Sequence, residues 1–455
     1  MSKLSSFKAY DVRGRIPDEL DAALAYDAAR AYAAFVKPRR VAVGYDIRLS
    51  SPELAAAVRR GLTELGIDVC DIGLWGSEGV YFATFAEQLD GGVMVTASHN
   101  PPDYNGLKFV REQARPISAD TGLEDMRALI EGGNLPAPAG RSGHVRPLDI
   151  HRNYLEHLLT YVNPGRLRKL KVVVNPGNGG AGPVIDLLEP HLPIEFIKVN
   201  ETPDGTFPHG VPNPMLEENR AATADVVRRV GADLGLAWDG DYDRCFFFDE
   251  GGRFIEGYYL VGLLAETFLK RERGARIVHD PRLTWNTIDI VQRNGGRAVL
   301  CKSGHAFIKQ KMREVDAVYG GEMSAHHYFR RFSYCDSGMI PWLLVLAVMS
   351  ERGQPLSALV GERMRLFPAS GEINRRLEGE VQSVLARVRA HYERESPKIE
   401  LTDGLSMEFP EWRFNLRGSN TEPLVRLNVE SQGNEPLMRE KTAEILALLD
   451  SFAKG

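Results

Sequence analysis

The chain has 455 residues, 43% of them hydrophobic and 26% charged, with a formal net charge of −5. That length exceeds what one core sustains and predicts three or four domains, while the composition excludes a disordered or low-complexity protein. The mildly negative charge argues against nucleic acid or a membrane surface as partner, so an anionic substrate must be held by local basic groups.

Cys70, Cys245, Cys301 and Cys335 are scattered with no CxxC spacing, which reads as buried thiols in a reducing compartment. The opening MSKLSSFKAYDVRG holds no apolar core of signal-peptide length. The most apolar run, Met339 to Met349, is too short for a membrane span, contains Pro341 and Trp342, and reads as a buried helix. A cytoplasmic location is expected.

In chain order, RVAVGYD predicts a strand, SPELAAAVRRGLTELG a helix and DVCDIG a second strand. Ser50, three residues before Glu53, predicts a capping box at the start of that helix. LKVVVNPG, GNGGAGPVIDLLEPHL and IEFIKVN repeat the strand–helix–strand order, as do ARIVHDPR, LTWNTIDIVQRNGG and AVLCKSG. Three such units predict three similar α/β domains with mixed, largely parallel sheets, although βαβ units are common in any long α/β chain. Beyond Phe367-Pro368 the pattern changes: SGEINRRL reads as a strand and VQSVLARVRAHYERE as a helix. LSMEFPEWRFNLRGSNTEPLVRLNVES reads as two strands around a polar loop, and EPLMREKTAEILALLDSF as a closing helix. This is a smaller C-terminal α+β domain. Pro/Gly-rich 132–147, Gly251-Gly252 and Pro368 mark boundaries, giving domains 1–147, 148–250, 251–367 and 368–455.

Four loops carry chemistry. In GGVMVTASHNPPDYNGLKFV a strand ends at Val95 and leads to Thr96, Ala97 and Ser98, followed by His99 and Asn100. A serine at a strand end among donors suits a nucleophile or phosphoryl carrier, an ordinary Ser/Asn/Pro turn being the alternative. No GxSxG elbow is present, which disfavours an α/β-hydrolase. In LGLAWDGDYDRCFFFDEGG an apolar strand delivers Asp239, Asp241 and Asp243 at alternate positions, then Arg244. Two such charges about 4 Å apart repel by about 4 kcal/mol at an effective dielectric near 20, so the cluster calls for a cation, and all-oxygen ligands suit Mg²⁺. AVYGGEMSAHHYF offers Glu322 and Ser324 for paired sugar hydroxyls, with His326 and His327 following, and no third soft ligand that would indicate zinc. His305 stands at the strand-to-helix turn of the third unit, as a site residue or simply a capping residue. In WRFNLRGSNTEPLVRL, Arg417, Ser419, Asn420 and Thr421 flank a glycine and fit a phosphate, or an ordinary hairpin loop.

TASHNP, DGDYDR, GEMSAHHYF and RGSNTEP, one per domain and in this order, resemble the α-D-phosphohexomutase family over essentially the whole chain, most closely its bacterial phosphomannomutase/phosphoglucomutase members. The resemblance implies four domains around a central cleft, acting as a monomer on hexose phosphates. It implies that Ser98 is a phosphoserine and that Asp239, Asp241 and Asp243 hold Mg²⁺ with an oxygen of its phosphate. Arg244, with His99 beside the serine, would position that loop; Tyr10 and Arg13 would match the family's entry motif. Lys108 and His305 would be proton-transfer candidates. Glu322, Ser324 and His326 would meet sugar hydroxyls, Arg282 would stand where relatives often carry lysine, and Arg417, Ser419, Asn420 and Thr421 would bind the non-reacting phosphate. The implied reaction moves a phosphoryl group between C6 and C1 of mannose or glucose through a hexose 1,6-bisphosphate. Phosphoglucosamine mutase and a metal-dependent sugar phosphatase are the alternatives; GEMS rather than GEQS speaks against the first. Tyr242 departs from the family's usual glycine, so its side chain is expected to point away from the ion.

Overall fold

The strand Gly91–Val95 is buried at every position, the pattern of a strand covered on both faces. In this computed structural model, which describes residues 3–376, 380–418 and 424–452, it lies inside a seven-stranded sheet. The order is Val12–Arg15, Tyr104–Arg111, Gly91–Val95, Arg40–Tyr45, Asp68–Leu74, Val145–Pro147, with Arg115–Pro116 added beside Tyr104–Arg111. The last four of the six run parallel, and Tyr104–Arg111 is antiparallel to both its long neighbours in that order. Arg40–Tyr45 therefore has its sequence successors on both sides, and the loops leaving its carboxyl end and that of Gly91–Val95 flank a switch point, where α/β sheets place ligands. Helices Ala22–Val36, Ser51–Thr63 and Leu123–Glu131 cover one face, burying Leu24, Tyr32, Leu54, Val58 and Met126 against Val43, Val93 and Val95.

A second sheet runs Phe254–Ile255, Cys245–Phe248, Leu234–Trp238, Leu170–Asn175, Ile194–Lys198, its last three strands parallel. Leu234–Trp238 and Cys245–Phe248 pair antiparallel, so the six residues between them form a tight connection. The chain divides into two compact units, and both sheets belong to the first, Met1–Ile255 with His326–Leu356. That unit also contains the short hairpin His327–Phe329/Cys335–Asp336 and the helix Ile340–Arg352. Nine residues of that helix are buried, matching the expectation of a core helix. Among the described residues no single helix is long and apolar enough to cross a membrane.

The second unit comprises Glu256–Ala325 and Ser357–Gly455. Its strands Arg297–Leu300, Arg276–His279 and Tyr319–Gly321 are parallel, packed with helices Gly257–Arg271, Trp285–Arg293 and His305–Val315. Its other sheet is wholly antiparallel: Ile373–Arg376, Leu424–Ser431, Trp412–Gly418, Leu405–Glu408, Lys398–Glu400.

Two local expectations change. The segment LSMEFPEWRFNLRG, read as one strand, is two, because Pro410 supplies no ladder donor and Phe409 N–H closes the turn on the Trp412 carbonyl at 2.9 Å. The capping box does not form: Ser50 has a helical backbone (φ −84°, ψ −13°), and its hydroxyl accepts from Asn105 Nδ2 at 2.8 Å instead.

Candidate active site

Three residues after the end of Gly91–Val95 the chain turns sharply at Ser98, whose φ of 49° lies in the left-handed region. Such a conformation costs a non-glycine residue roughly 1–2 kcal/mol and persists only where the surroundings dictate it. Its N–H donates to Thr96 Oγ1 at 2.9 Å. The buried Ser98 Oγ stands 2.9 Å from Asp239 Oδ2 and 3.1 Å from His99 Nδ1. The aspartates come from the tight connection of the second sheet, and Gly240 makes the approach possible, since a Cβ there would lie 2.6 Å from the Ser98 carbonyl oxygen. Tyr242 also has a positive φ, 45°. Its ring is buried over Gly76 and Gly180, and its hydroxyl accepts from Gly76 N–H at 3.0 Å. The side chain is thus occupied away from the carboxylates, as anticipated.

Asp239, Asp241 and Asp243 are buried, and each offers an oxygen within 4.8 Å of the others. Lys108, on the strand Tyr104–Arg111, spends its three protons on Asp241 Oδ2 (2.7 Å), Asp243 Oδ2 (2.8 Å) and Ser77 Oγ (2.8 Å). Burial opposes its charge, but the two aspartates outweigh burial and hold the ammonium above its usual pKa. Arg244 donates from Nε to Asp239 Oδ2 at 2.8 Å, and its Nη2 meets His99 Nδ1. Burial, reinforced by Arg244, keeps His99 well below its usual range, so the ring is neutral and accepts. Burial raises Asp239 to about 6 against the pull of Arg244. For Asp241 burial acts in the same sense, but Lys108 wins and holds it below the ordinary carboxylate range. Three carboxylates against Lys108 and Arg244 leave one negative charge, and Asp241 Oδ1 and Asp243 Oδ1 are buried without a hydrogen bond. Unspent, buried, all-oxygen acceptors of this kind fit a hard divalent cation.

Arg13 donates to Asn100 Oδ1 at 2.8 Å and pairs with Asp11, joining the serine loop; Tyr10 lies three residues before it, partly buried. His326 has its ring 3.1 Å from Asp336 Oδ2 and 4.0 Å from Asp243 Oδ1, in the first unit with the aspartates. His327 is a core residue, its pKa pushed down to about 3 by burial.

The second unit gathers the remaining candidates. Buried Arg282 donates from Nη2 to Asp280 Oδ2 (2.6 Å), Glu322 Oε1 (3.2 Å) and Ser324 Oγ (3.1 Å). Glu322 Oε1 also accepts from Gly304 N–H at 2.9 Å, immediately before His305, which opens the helix His305–Val315. Arg417 donates to Glu372 Oε2 at 3.1 Å, and the same carboxylate group lies 3.5 Å from Arg282 and 3.6 Å from Arg426. Burial favours a protonated Glu372, but Arg282, Arg417 and Arg426 together keep its pKa low. Ser419, Asn420 and Thr421 lie outside the described residues.

Sequence reading missed Ser77, whose hydroxyl donates to Asp241 Oδ2 at 2.5 Å, together with Asp46, Arg48, Asp336 and Glu372. None stands in a chemistry-bearing loop, and only the pairing of distant segments exposes them.

Comparison with known proteins accounts for nearly the whole chain. Models of the phosphoglucomutase/phosphomannomutase α/β/α domains I, II and III match residues 4–133, 152–252 and 256–367, and that of the C-terminal domain matches 372–448. The chain belongs to this family. A phosphomannomutase of Salmonella montevideo is 57% identical over 99% of this chain and 100% of its own length. A Xanthomonas campestris pv. campestris (strain B100) protein described as phosphohexose mutases is 57% identical over 98% and 99% of the two chains. A crystal structure of a family member from Burkholderia thailandensis superposes with a TM-score of 0.89 at 31% identity, covering 100% of this chain and 99% of that one. The chain is accordingly a reversible phosphohexose mutase, an enzyme of the isomerase class.

Proposed function

We propose that this mutase moves a phosphoryl group between the C6 and C1 oxygens of mannose or glucose phosphates, with Ser98 as the carrier and a hexose 1,6-bisphosphate as the intermediate. The observation that carries the reading is the Ser98 hydroxyl, 2.9 Å from Asp239 in a buried site of three carboxylates and two cationic side chains. A phosphate on Ser98 would place a dianion against Asp239, which a divalent cation resolves. Mg²⁺, held by Asp239, Asp241, Asp243 and a serine-phosphate oxygen, would supply charge neutralisation at the transferring group. In the forward half-reaction the Ser98 Oγ–P bond breaks, the sugar oxygen–P bond forms, and the sugar hydroxyl's proton passes to a base. Lys108, its protons all engaged, serves as a fixed cation, which favours His305 for proton transfer. Arg244 and His99 hold the serine loop, with Arg13 bonded to Asn100 and Tyr10 close by in the chain. Glu322, Ser324, Arg282 and His326 meet the sugar, and Arg417, Ser419, Asn420 and Thr421 the phosphate that does not react. The four domains take the limits 1–147, 148–250, 251–367 and 368–455, and the chain acts as a monomer in the cytoplasm.

Intact-mass measurement of the purified protein should show a phosphorylated fraction that Ser98→Ala lacks. Loss of a covalent carrier deletes the reaction path, so turnover in that variant should fall by orders of magnitude. Wild-type turnover in Ser98→Ala would end the carrier reading. Specificity constants for mannose, glucose and glucosamine 1-phosphates, measured with a bisphosphate activator, distinguish this assignment from an amino-sugar mutase.

A further inference from the structure

Arg48 lies in the loop between the strand Arg40–Tyr45 and the helix Ser51–Thr63, half the first sheet away in sequence from Ser98, and is 1% exposed. Its guanidinium is the centre around which the serine loop is wound. Nη2 donates to the carbonyl oxygens of Ser98 at 2.9 Å and Asn100 at 2.6 Å; Nη1 donates to those of Pro101 at 2.6 Å and Tyr104 at 3.0 Å. Phe207 covers the group, 5.3 Å from ring centre to Cζ. Asp46 steadies it, with Oδ2 3.4 Å from Nε and Oδ1 accepting from the Arg48 N–H at 3.0 Å. The same Asp46 Oδ2 accepts from Thr96 Oγ1 at 2.7 Å, and Thr96 Oγ1 accepts from the Ser98 N–H at 2.9 Å. Both backbone polar groups of Ser98 are therefore tied to one buried ion pair, the carbonyl through Arg48 and the N–H through Thr96 and Asp46.

The Pro101 carbonyl would keep the Tyr104 N–H at 3.0 Å without Arg48, but the guanidinium is what draws the carbonyls of Ser98, Asn100 and Tyr104 to one point, and its loss would release them and loosen the loop. Arginine's planar fork can serve four acceptors at fixed angles; a lysine ammonium has three protons and no fork. The left-handed φ of Ser98 is the strain this arrangement maintains, and it is what turns Oγ toward Asp239.

We propose that Arg48 is a positioning residue for phosphoryl transfer: through four backbone carbonyls it sets the conformation of the serine loop and thereby the aim of Ser98 Oγ, without touching the substrate. The inference rests on the reading of Ser98 as carrier. A nucleophile displaced by about 1 Å loses on the order of a hundredfold in rate while the groups that recognise sugar and distal phosphate are untouched. Arg48→Lys should therefore lower kcat by about a hundredfold, with KM and Mg²⁺ affinity changed by less than about threefold. In Arg48→Ala, millimolar methylguanidinium should restore part of the turnover, and it should do nothing for Ser98→Ala. Should either Arg48 variant fail to fold, Asp46→Asn, nearly isosteric, should show the same split, kcat falling about tenfold at constant KM. Turnover of Arg48→Lys or, in its place, Asp46→Asn within about threefold of wild type, or a KM that rises in step with the fall in kcat, would overturn the proposal. Wild-type turnover in Ser98→Ala would instead remove the reading beneath it.

Discussion

Asp241 takes hydrogen bonds from Lys108 and Ser77 on one oxygen while the other stays without one. Asp241→Asn keeps the shape but withdraws one charge from a site where the carboxylates exceed the cations by only one. Mg²⁺ affinity should fall by at least about tenfold, read by calorimetry, with turnover falling beside it. Undiminished activity after EDTA treatment would make the cluster structural. The alternating aspartates and the serine at a strand end were legible in the sequence because each sits in a loop whose neighbours announce it. Ser77 and Arg48 were not: their partners lie 164 and 50 residues away, and a lone Ser at a helix start or Arg in a loop carries no signal of its own. Lys108 was visible as a candidate, but its role as a cation emerges only from the carboxylates that surround it.

Helix Ser77–Ala86 shows how an element joins the site to the core. Its N-terminus meets the aspartate loop through Gly76 and Ser77, and its first turn carries Glu78, fully buried and accepting from Ser337 Oγ. That hydroxyl in turn accepts from Met339 and Ile340 N–H at 3.0 and 3.1 Å, capping the helix Ile340–Arg352. Burial pushes Glu78 up to about 8, against the lowering effect of Ser337. Its folded pKa thus exceeds the ordinary value of 4.5, so the native state keeps a proton that the unfolded chain releases. The stability it contributes is complete below about pH 4.5 and is lost as pH rises to about 8. Glu78→Gln retains an acceptor for Ser337 and has nothing to ionise. Melting temperatures should match near pH 4.5, with the variant increasingly favoured toward pH 8; parallel profiles would show Glu78 already ionised in the native protein. Most elements were legible, since strand-length apolar runs alternate with helix-period stretches in each βαβ unit. The C-terminal hairpin was hidden because LSMEFPEWRFNLRG is apolar on both sides of Pro410, and Ser50 failed as a cap because Asn105, across the sheet, claims its hydroxyl.

Over the whole molecule the net charge is −5, yet the second unit concentrates Arg282, Arg417 and Arg426 around one carboxylate. Arg417→Ala removes a charge-assisted contact typically worth about 1.5–3 kcal/mol, roughly ten- to a hundredfold in affinity. KM for hexose phosphate should rise accordingly, and turnover should fall as well if that contact also orients the sugar. Unchanged constants would exclude Arg417 from substrate binding. The order of the four motifs made the family legible, because no shorter combination is as specific. The arginine–Glu372 assembly escaped notice because Glu372 sits in SGEINRRL, which reads simply as the first strand of the last domain. On the proposed reading of Arg417, Glu372 would make phosphate capture an exchange: an incoming dianion would have to take guanidinium groups from an anion already holding them. The free energy of capture is then the difference between two ion pairings, so the grip on phosphate is moderated in advance. The hexose 1,6-bisphosphate proposed above, which would have to let go, reverse its ends and dock again within one catalytic cycle, would be served by a moderate grip.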